Sequence, residues 1–168
     1  MEKKLKQATL CFLVKEDPVE FVLLGMKKRG FGSGKLNGFG GKVEPGETIE
    51  EAIIRELWEE SGVNTYPESI ERMGELTFIF PSIPEDKKWH WDQVVHVFLV
   101  RDWEGEPKES EEMKPVWTHV KNIPFDKMWQ DDKHWLPMIL CGKKIVGKFV
   151  FGDDNEKLID VEIDEAEF

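Results

Sequence analysis

The 168-residue chain has no long hydrophobic run and only two cysteines. No apolar stretch approaches the ~20 residues that a transmembrane helix needs, so we expect no membrane association. The N-terminal residues lack the apolar core and cleavage site of a signal peptide, which favours a cytoplasmic location. Cys11 and Cys141 match no metal-site spacing and both lie in apolar runs. We therefore expect two buried thiols that need not form a disulfide.

Positive charge is also scarce: the chain has 23 lysines and arginines but 34 aspartates and glutamates, which gives a net charge of −11. Such an acidic chain disfavours nucleic-acid polymers and anionic membranes as partners, so we expect a small-molecule ligand. Residues 21–43 depart from this pattern, with five basic residues and no acid. This basic segment is either a solvated turn or a site at which an anionic ligand approaches the protein.

The apolar pattern predicts one mixed α/β domain spanning residues 1–168, which we expect to be a monomer. Strands are predicted at 8–15, 20–26, 73–80, 93–101, 114–120, 144–151 and 157–163. Pro18 indicates a turn that joins the first two strands into a hairpin. Helices are predicted at 48–61 and from Asp131 or Asp132 to about Leu140.

The first predicted helix has marked ends. Thr48 with Glu51 three residues later forms a capping-box pattern, and Gly62 stands just past the last helical residue. Apolar residues recur at helical spacing and predict a face toward the core. The sequence therefore predicts where this helix begins and ends and which of its faces packs against the core.

An acid cluster lies at the C-terminal end of this helix. Glu56, Glu59 and Glu60 stand at i, i+3 and i+4, so their carboxylates share one face. The helix dipole disfavours anions there, which indicates a compensating cation such as Mg²⁺ or Mn²⁺. A solvated glutamate-rich helix is the alternative, and Arg55 can hold the acids by pairing with Glu51 and Glu59 at i±4.

The spacing around these acids decides between the two interpretations. Gly41, five residues, Glu47, seven residues and then the run 55–63 match GX5EX7REUXEEXGU at every fixed position, where U is a bulky aliphatic residue. A pattern that specifies so many residue types over 23 positions is implausible by chance. The chain resembles the Nudix hydrolases, and residues 41–63 resemble their signature box.

The resemblance implies an α/β/α sandwich around a mixed sheet and metal-dependent hydrolysis of a nucleoside diphosphate linked to another group. Water attacks phosphorus in line, and Mg²⁺, or Mn²⁺ in its place, screens the phosphate charge. By motif position, the metal lies on Glu56 and Glu60, with Glu59 nearby, and on the carbonyl of Gly40 or Gly41. Either Glu56 or Glu60 is the expected general base. The residues expected to carry catalysis are Arg55, Glu56, Glu59 and Glu60.

Segments 23–32, 37–43, 109–115 and 124–132 are similar to the Nudix hydrolases that convert oxidised purine nucleoside triphosphates, such as 8-oxo-dGTP and 2-hydroxy-dATP, to the monophosphate and pyrophosphate. This similarity implies that Glu112 joins the metal ligands. It implies a nucleotide pocket lined by Thr9, Lys27, Phe31, Asn37, Phe39, Gly40, Gly41, Lys42, Phe78, Met113, Trp129, Asp131, Asp132 and Trp135.

The resemblance implies that five of these residues contact the base. Phe78 and Trp129 would pack against it, Met113 would touch it, and Asp131 and Asp132 would hydrogen-bond its edge. Adjacent buried carboxylates do not both ionise easily, so one keeps a proton and the pair both donates and accepts. Core packing is the alternative for the two aromatic residues. Helix N-capping is the alternative for the two aspartates.

The chain departs from these relatives near the base pocket. Leu36 replaces an aromatic residue, Gln130 replaces a proline, and no methionine occurs where the relatives place one beside the base. Two other functions therefore stay open. One is a Nudix hydrolase of another substrate, such as a normal or methylated dNTP or a dinucleoside polyphosphate. The other is a nucleotide-binding protein without turnover, against which the intact box acids argue.

Overall fold

The computed structural model describes residues 5–30, 32–87 and 91–168, and these contain eight strands. Their bounds are β1 Lys6–Lys15, β2 Phe21–Lys27, β3 Leu36–Asn37, β4 Ile70–Ile79, β5 Gln93–Val100, β6 Met113–His119, β7 Ile145–Phe151 and β8 Leu158–Glu165. Seven of them coincide with the predicted strands to within a few residues. The two-residue β3 was not predicted, because it is too short to show any alternation.

The strands form one mixed sheet in the order β3-β2-β1-β5-β4-β7-β8, and β6 also pairs with β2. The pairs β1–β5 and β4–β7 are parallel, whereas β5–β4 and β7–β8 are antiparallel. β1 and β2 pair only at their turn-side ends, Val14 with Val22 and Lys15 with Phe21, which confirms the predicted hairpin. β2 then diverges from β1 and pairs with β3 and β6.

In the described ranges, two α-helices pack on this sheet, α1 at Ile49–Ser61 and α2 at Asp132–Leu140. The Thr48 hydroxyl accepts a hydrogen bond from the Glu51 amide at 3.1 Å, and the Glu51 carboxylate accepts one from the Thr48 amide at 3.3 Å. Gly62 adopts the left-handed conformation, with φ of 74°, and its amide donates to the carbonyl of Trp58 at 2.9 Å. Both predicted ends of the first helix are confirmed.

The helices cover opposite faces of the sheet, because successive strand residues point to opposite sides. Leu57 of α1 packs with Cys11 on one face, and Trp135 of α2 packs with Phe12 on the other. Each large apolar side chain buried in these layers contributes about 1.5–3 kcal/mol. The predicted α/β/α sandwich is confirmed.

Two further expectations concern the thiols and membrane segments. Cys11 is buried as predicted and neither cysteine is bonded, but the prediction for Cys141 is wrong. Cys141 is exposed because it follows the last residue of α2, where the chain leaves the core. In the described ranges, no helix combines the length and apolarity needed to span a bilayer.

Candidate active site

A cleft of about 250 Å³ opens where β1, β4 and β5 meet the glycine-rich segment and the start of α2. The structure brings eleven of the fourteen predicted pocket residues to its walls: Thr9, Lys27, Asn37, Gly40, Gly41, Phe78, Met113, Trp129, Asp131, Asp132 and Trp135. These residues come from six separate stretches of the chain. One box acid, Glu60, reaches the same cleft and joins the predicted catalytic helix to the predicted pocket.

Two predicted pocket residues lie elsewhere. Phe39 forms an antiparallel bridge with Cys11, so its side chain is directed to the α1 face and fully buried there with Leu57. Lys42 is exposed and does not line the cleft, although its carbonyl accepts a hydrogen bond from Arg55 at 3.1 Å. The structure therefore does not bring these two side chains to the cleft, and a part for them in substrate binding stays a prediction. Phe31 lies outside the described residues.

The cleft also includes residues that the sequence analysis missed. The ammonium of Lys35 lies 4.9 Å from the ring centroid of Trp129, a cation–π contact. Phe80 and Phe151 stack at 4.7 Å and extend the aromatic wall. Gln93, the first residue of β5, also lines the cleft. Only Lys35 had a sequence signal, its place in the basic segment; the other three look like ordinary strand residues.

Phe78 contributes to both the core and the cleft. It is 9% exposed, stacks on Phe149 at 5.3 Å and still faces the cavity. The next aromatic residue, Phe80, is held by its amide, which donates to the buried carboxylate of Asp92 at 2.8 Å. This wall is therefore a rigid apolar surface on which a planar ring can stack.

Asp131 and Asp132 lie side by side in the cleft wall, 5% and 2% exposed. Asp131 occupies the N-cap position of α2, but its side chain makes no capping hydrogen bond, so the capping alternative is wrong. Instead its carboxylate accepts a hydrogen bond from the indole N–H of Trp135 at 2.8 Å. Within the described residues, the Oδ2 atom of Asp132 is buried without a hydrogen-bond partner.

Burial sets the protonation of this pair. It raises the pKa of Asp131 to about 6, against the hydrogen bond from Trp135, which lowers it. Burial also raises the pKa of Asp132, and the neighbouring charge of Asp131 raises that pKa further. The pair therefore favours one ionised and one protonated carboxyl, which supplies both an acceptor and a donor.

The glycine-rich segment contacts the box helix through Glu60. The Glu60 carboxylate, 7% exposed, accepts a hydrogen bond from the Gly40 amide at 2.8 Å. Burial raises the pKa of Glu60 to about 8; the Gly40 bond opposes this shift, and the charges of Glu56 and Glu112 add to it. The carbonyl of Gly41 accepts from both the amide and the hydroxyl of Thr9, at 2.8 and 3.2 Å.

Arg55 organises the other box acids. Its guanidinium makes two hydrogen bonds to Glu47, at 2.7 and 3.0 Å, and one each to Glu56 at 2.8 Å and Glu59 at 3.3 Å. The expected pairing with Glu59 is present, whereas Glu51 is occupied in the capping box and Glu47 takes its place. Burial raises the pKa of Glu56, and the Arg55 hydrogen bond works against that shift.

The fit of this site to a divalent cation rests on two carboxylates, the buried Glu60 and the half-buried Glu56. In the described ranges, no three acidic, histidine or cysteine side chains are gathered closely enough to hold a metal ion. Glu59 is exposed to solvent and hydrogen-bonded to Arg55, and Glu112 forms an ion pair with Arg29 at 3.4 Å on the surface. Glu56 and Glu60 nevertheless offer hard oxygen ligands beside the glycine backbone, and burial raises the pKa of both carboxyl groups.

Comparison with known proteins agrees with this geometry. The NUDIX domain model matches residues 4–139. A zebrafish (Danio rerio) protein named oxidized purine nucleoside triphosphate hydrolase is 47% identical over 146 residues, 87% of this chain and 88% of that protein. A mouse (Mus musculus) protein of the same name is 47% identical over 134 residues, 80% of this chain and 81% of that protein.

A solved structure extends the likeness to the fold. The MutT protein from Bacillus halodurans superimposes with a TM-score of 0.78 and 28% sequence identity, covering 95% of this chain and 98% of that one. The family model, the box and the fold agree over most of the chain. This protein belongs to the Nudix hydrolase family.

Proposed function

We propose that this protein hydrolyses oxidised purine nucleoside triphosphates, such as 8-oxo-dGTP and 2-hydroxy-dATP, to the monophosphate and pyrophosphate. One observation carries the proposal: the buried Asp131–Asp132 pair and a box glutamate, Glu60, line one aromatic-walled cleft. The names of the zebrafish and mouse relatives support the same substrate class.

The box residues supply the hydrolytic end of the cleft. We propose that Glu56 and Glu60 hold Mg²⁺, with Glu59 and Glu112 nearby. The carbonyl of Gly40 is our choice of backbone ligand, because the two hydrogen bonds from Thr9 occupy the Gly41 carbonyl. When bound, the metal screens phosphate charge and lowers the pKa of the attacking water.

Side chains around the metal position its ligands, accept the proton of the attacking water and offer positive charge to the phosphate chain. Arg55 keeps Glu56 in place through a 2.8 Å hydrogen bond. Glu60 is the box carboxylate that lines the cleft, so we assign it the proton of the attacking water. Lys27 lines the same cleft and offers a positive charge to the phosphate chain.

The other end of the cleft recognises the base. Phe78 and Trp129 provide ring surfaces for stacking, and the protonated member of the aspartate pair donates where the ionised member accepts. An oxidised purine differs from its parent by one oxygen and a tautomeric proton. A pair that can both donate and accept suits more than one such base.

The deciding assay measures pyrophosphate release and kcat/KM with Mg²⁺ on 8-oxo-dGTP, 2-hydroxy-dATP, dGTP, dATP and ADP-ribose. Asp131→Asn should lower kcat/KM strongly for oxidised purines and less for other triphosphates, while exposed Asp126→Asn serves as the matched control. Glu60→Gln should abolish most activity, whereas exposed Glu59→Gln should have a smaller effect. Equal rates on dGTP and 8-oxo-dGTP would reject the substrate class, and full activity of Glu60→Gln would reject the role of that glutamate.

We also propose that residues 1–168 act as one monomeric domain in the cytoplasm. The net charge of −11 supports a small-molecule substrate over a nucleic-acid polymer or a membrane surface. Sedimentation velocity should give a monomer mass at micromolar concentration, and a concentration-dependent dimer would contradict this part of the proposal.

A further inference from the structure

Gln93 places a polar side chain on a wall of the cleft that is otherwise apolar. The wall is formed by β4, β5 and β7, and its other described residues in those strands are Leu76, Phe78, Val95 and Phe151. Gln93 is half-buried, and in the described part of the chain its side chain makes no hydrogen bond. The Gln93 amide therefore neither adds apolar contact to the core nor hydrogen-bonds a described neighbour.

The position of Gln93 directs its amide to the base end of the cleft. It is paired across the antiparallel ladder with Phe78, and such cross-strand neighbours have Cβ atoms roughly 4.5–5.5 Å apart. A ring stacked on Phe78 therefore presents an edge within reach of the amide. The catalytic end is defined by other residues, Glu60 and the Gly40 backbone.

The loss of water from the Gln93 amide on ligand binding can discriminate between bases. In the free protein, water satisfies the half-exposed side chain, and a ligand that fills the cleft removes that water. The ligand must then supply a hydrogen bond of its own, or binding is weakened. The amide N–H₂ donates to an oxo oxygen, and the amide oxygen accepts from an exocyclic amine. A base with a bare C–H at that edge satisfies neither group.

We infer that Gln93 is a specificity-determining residue that hydrogen-bonds the edge of the purine base, with its N–H₂ donating to an oxo oxygen. The inference rests on the proposed function, since it concerns the same cleft. Gln93 adds a second hydrogen-bonding group on the sheet side of the base, separate from the aspartate pair at the start of α2. Base recognition then comes from two elements of the fold.

The test compares Gln93→Met with wild type on 8-oxo-dGTP, 2-hydroxy-dATP, dGTP, dATP and dCTP. Methionine keeps the length of the side chain and removes the hydrogen-bonding groups. We expect kcat/KM to fall about tenfold for purines with an oxo group at the recognised edge, mostly through KM, and to change less than about threefold for dATP, whose base has no oxo oxygen. Gln93→Glu, which loses the donor when ionised, should show the same selective loss. Exposed Asn122→Leu, which removes a side-chain amide away from the cleft, is the control and should leave all five ratios unchanged.

The outcomes separate this inference from the proposed function. An equal loss on all five nucleotides, or no loss, in both folded Gln93 variants would overturn the role of Gln93. Wild-type protein without preference for oxidised purines would overturn the proposed function, while a base-dependent loss in the variants would still support Gln93. Calorimetric titration with the monophosphates provides a binding measurement that does not depend on turnover.

Discussion

A methyl group on Gly41 would collide first with the side chain of Glu56, a proposed metal ligand. The three atoms nearest to the added Cβ all belong to Glu56: Oε1 at 2.6 Å, Cδ at 2.7 Å and Oε2 at 3.0 Å. A Cβ on the preceding Gly40 would instead lie 1.9 Å from the carbonyl oxygen of Thr9, within the backbone of β1. Alanine at these two adjacent positions should therefore have different consequences.

The size of each effect follows from what must move. The flexible end of Glu56 must retreat by roughly 0.8 Å, from 2.6 Å to an ordinary contact of 3.4 Å. A displacement of about 1 Å at a reacting centre costs about 100-fold in rate. Gly41 does not have a positive φ, so alanine there should leave stability unchanged or raise it by about 0.4–1 kcal/mol. Gly40→Ala forces β1 itself to shift and should cost about 3 kcal/mol or more.

The assay pairs urea unfolding with pyrophosphate release on the best wild-type substrate. Gly41→Ala should be folded and about 100-fold less active, and Gly40→Ala should be destabilised. Gly46→Ala is the control in the same loop: its φ is +82° and no atom lies within 4 Å, so it should lose about 1 kcal/mol of stability and keep its activity. A Gly41→Ala protein with wild-type activity, or one inactive only through unfolding, would refute the reasoning.

Three further predictions follow from the same structure. Arg55→Lys keeps the charge but loses the two-bond contact with Glu47, so kcat/KM should fall about tenfold or more, and an unchanged rate would contradict the role of Arg55. The pKa of Asp131 is raised to about 6, so native stability decreases as pH rises from about 4 to 6. In urea unfolding, Asp131→Asn should therefore raise the free energy of unfolding by roughly 1–3 kcal/mol at about pH 8 and by less at about pH 4. The same increase at both pH values would argue against a raised pKa of Asp131. A thiol reagent should label Cys141 in the folded protein and Cys11 only after unfolding, and labelling of both thiols in the native state would contradict their burial.

The sequence predicted the box helix well because its determinants are local. A capping box, a C-terminal glycine and an apolar stripe all lie within the 15 residues from Thr48 to Gly62, and the structure reproduces each one. The larger strands were predicted for the same reason, since alternation is visible in the residues themselves. What these features specify is the scaffold that holds Glu56 and Glu60.

The remaining features depend on contacts between distant parts of the chain. Phe39 was assigned to the pocket because the segment around it matches a binding motif, but its bridge to Cys11 directs the side chain to the opposite face. Gln93 looked like the first residue of an ordinary strand until its register beside Phe78 brought it into the cleft. Neither outcome is visible in local sequence, because strand register decides which face a side chain occupies.

The acid cluster shows how a local pattern and a distant contact combine. Three glutamates near the C-terminal end of a helix are electrostatically unfavourable, and the helix sequence alone offers Arg55 as their only partner. In the structure Arg55 is anchored by Glu47 from the preceding loop and is hydrogen-bonded to Glu56 and Glu59. Its described hydrogen bonds and ion pairs do not include Glu60. Burial raises the pKa of Glu60 to about 8, and the negative charge of Glu56 adds to that shift. Among the described residues Glu60 therefore has no salt bridge, and only the charge of Lys27 lowers its pKa from a distance. Glu60 is also the box carboxylate that faces the cleft.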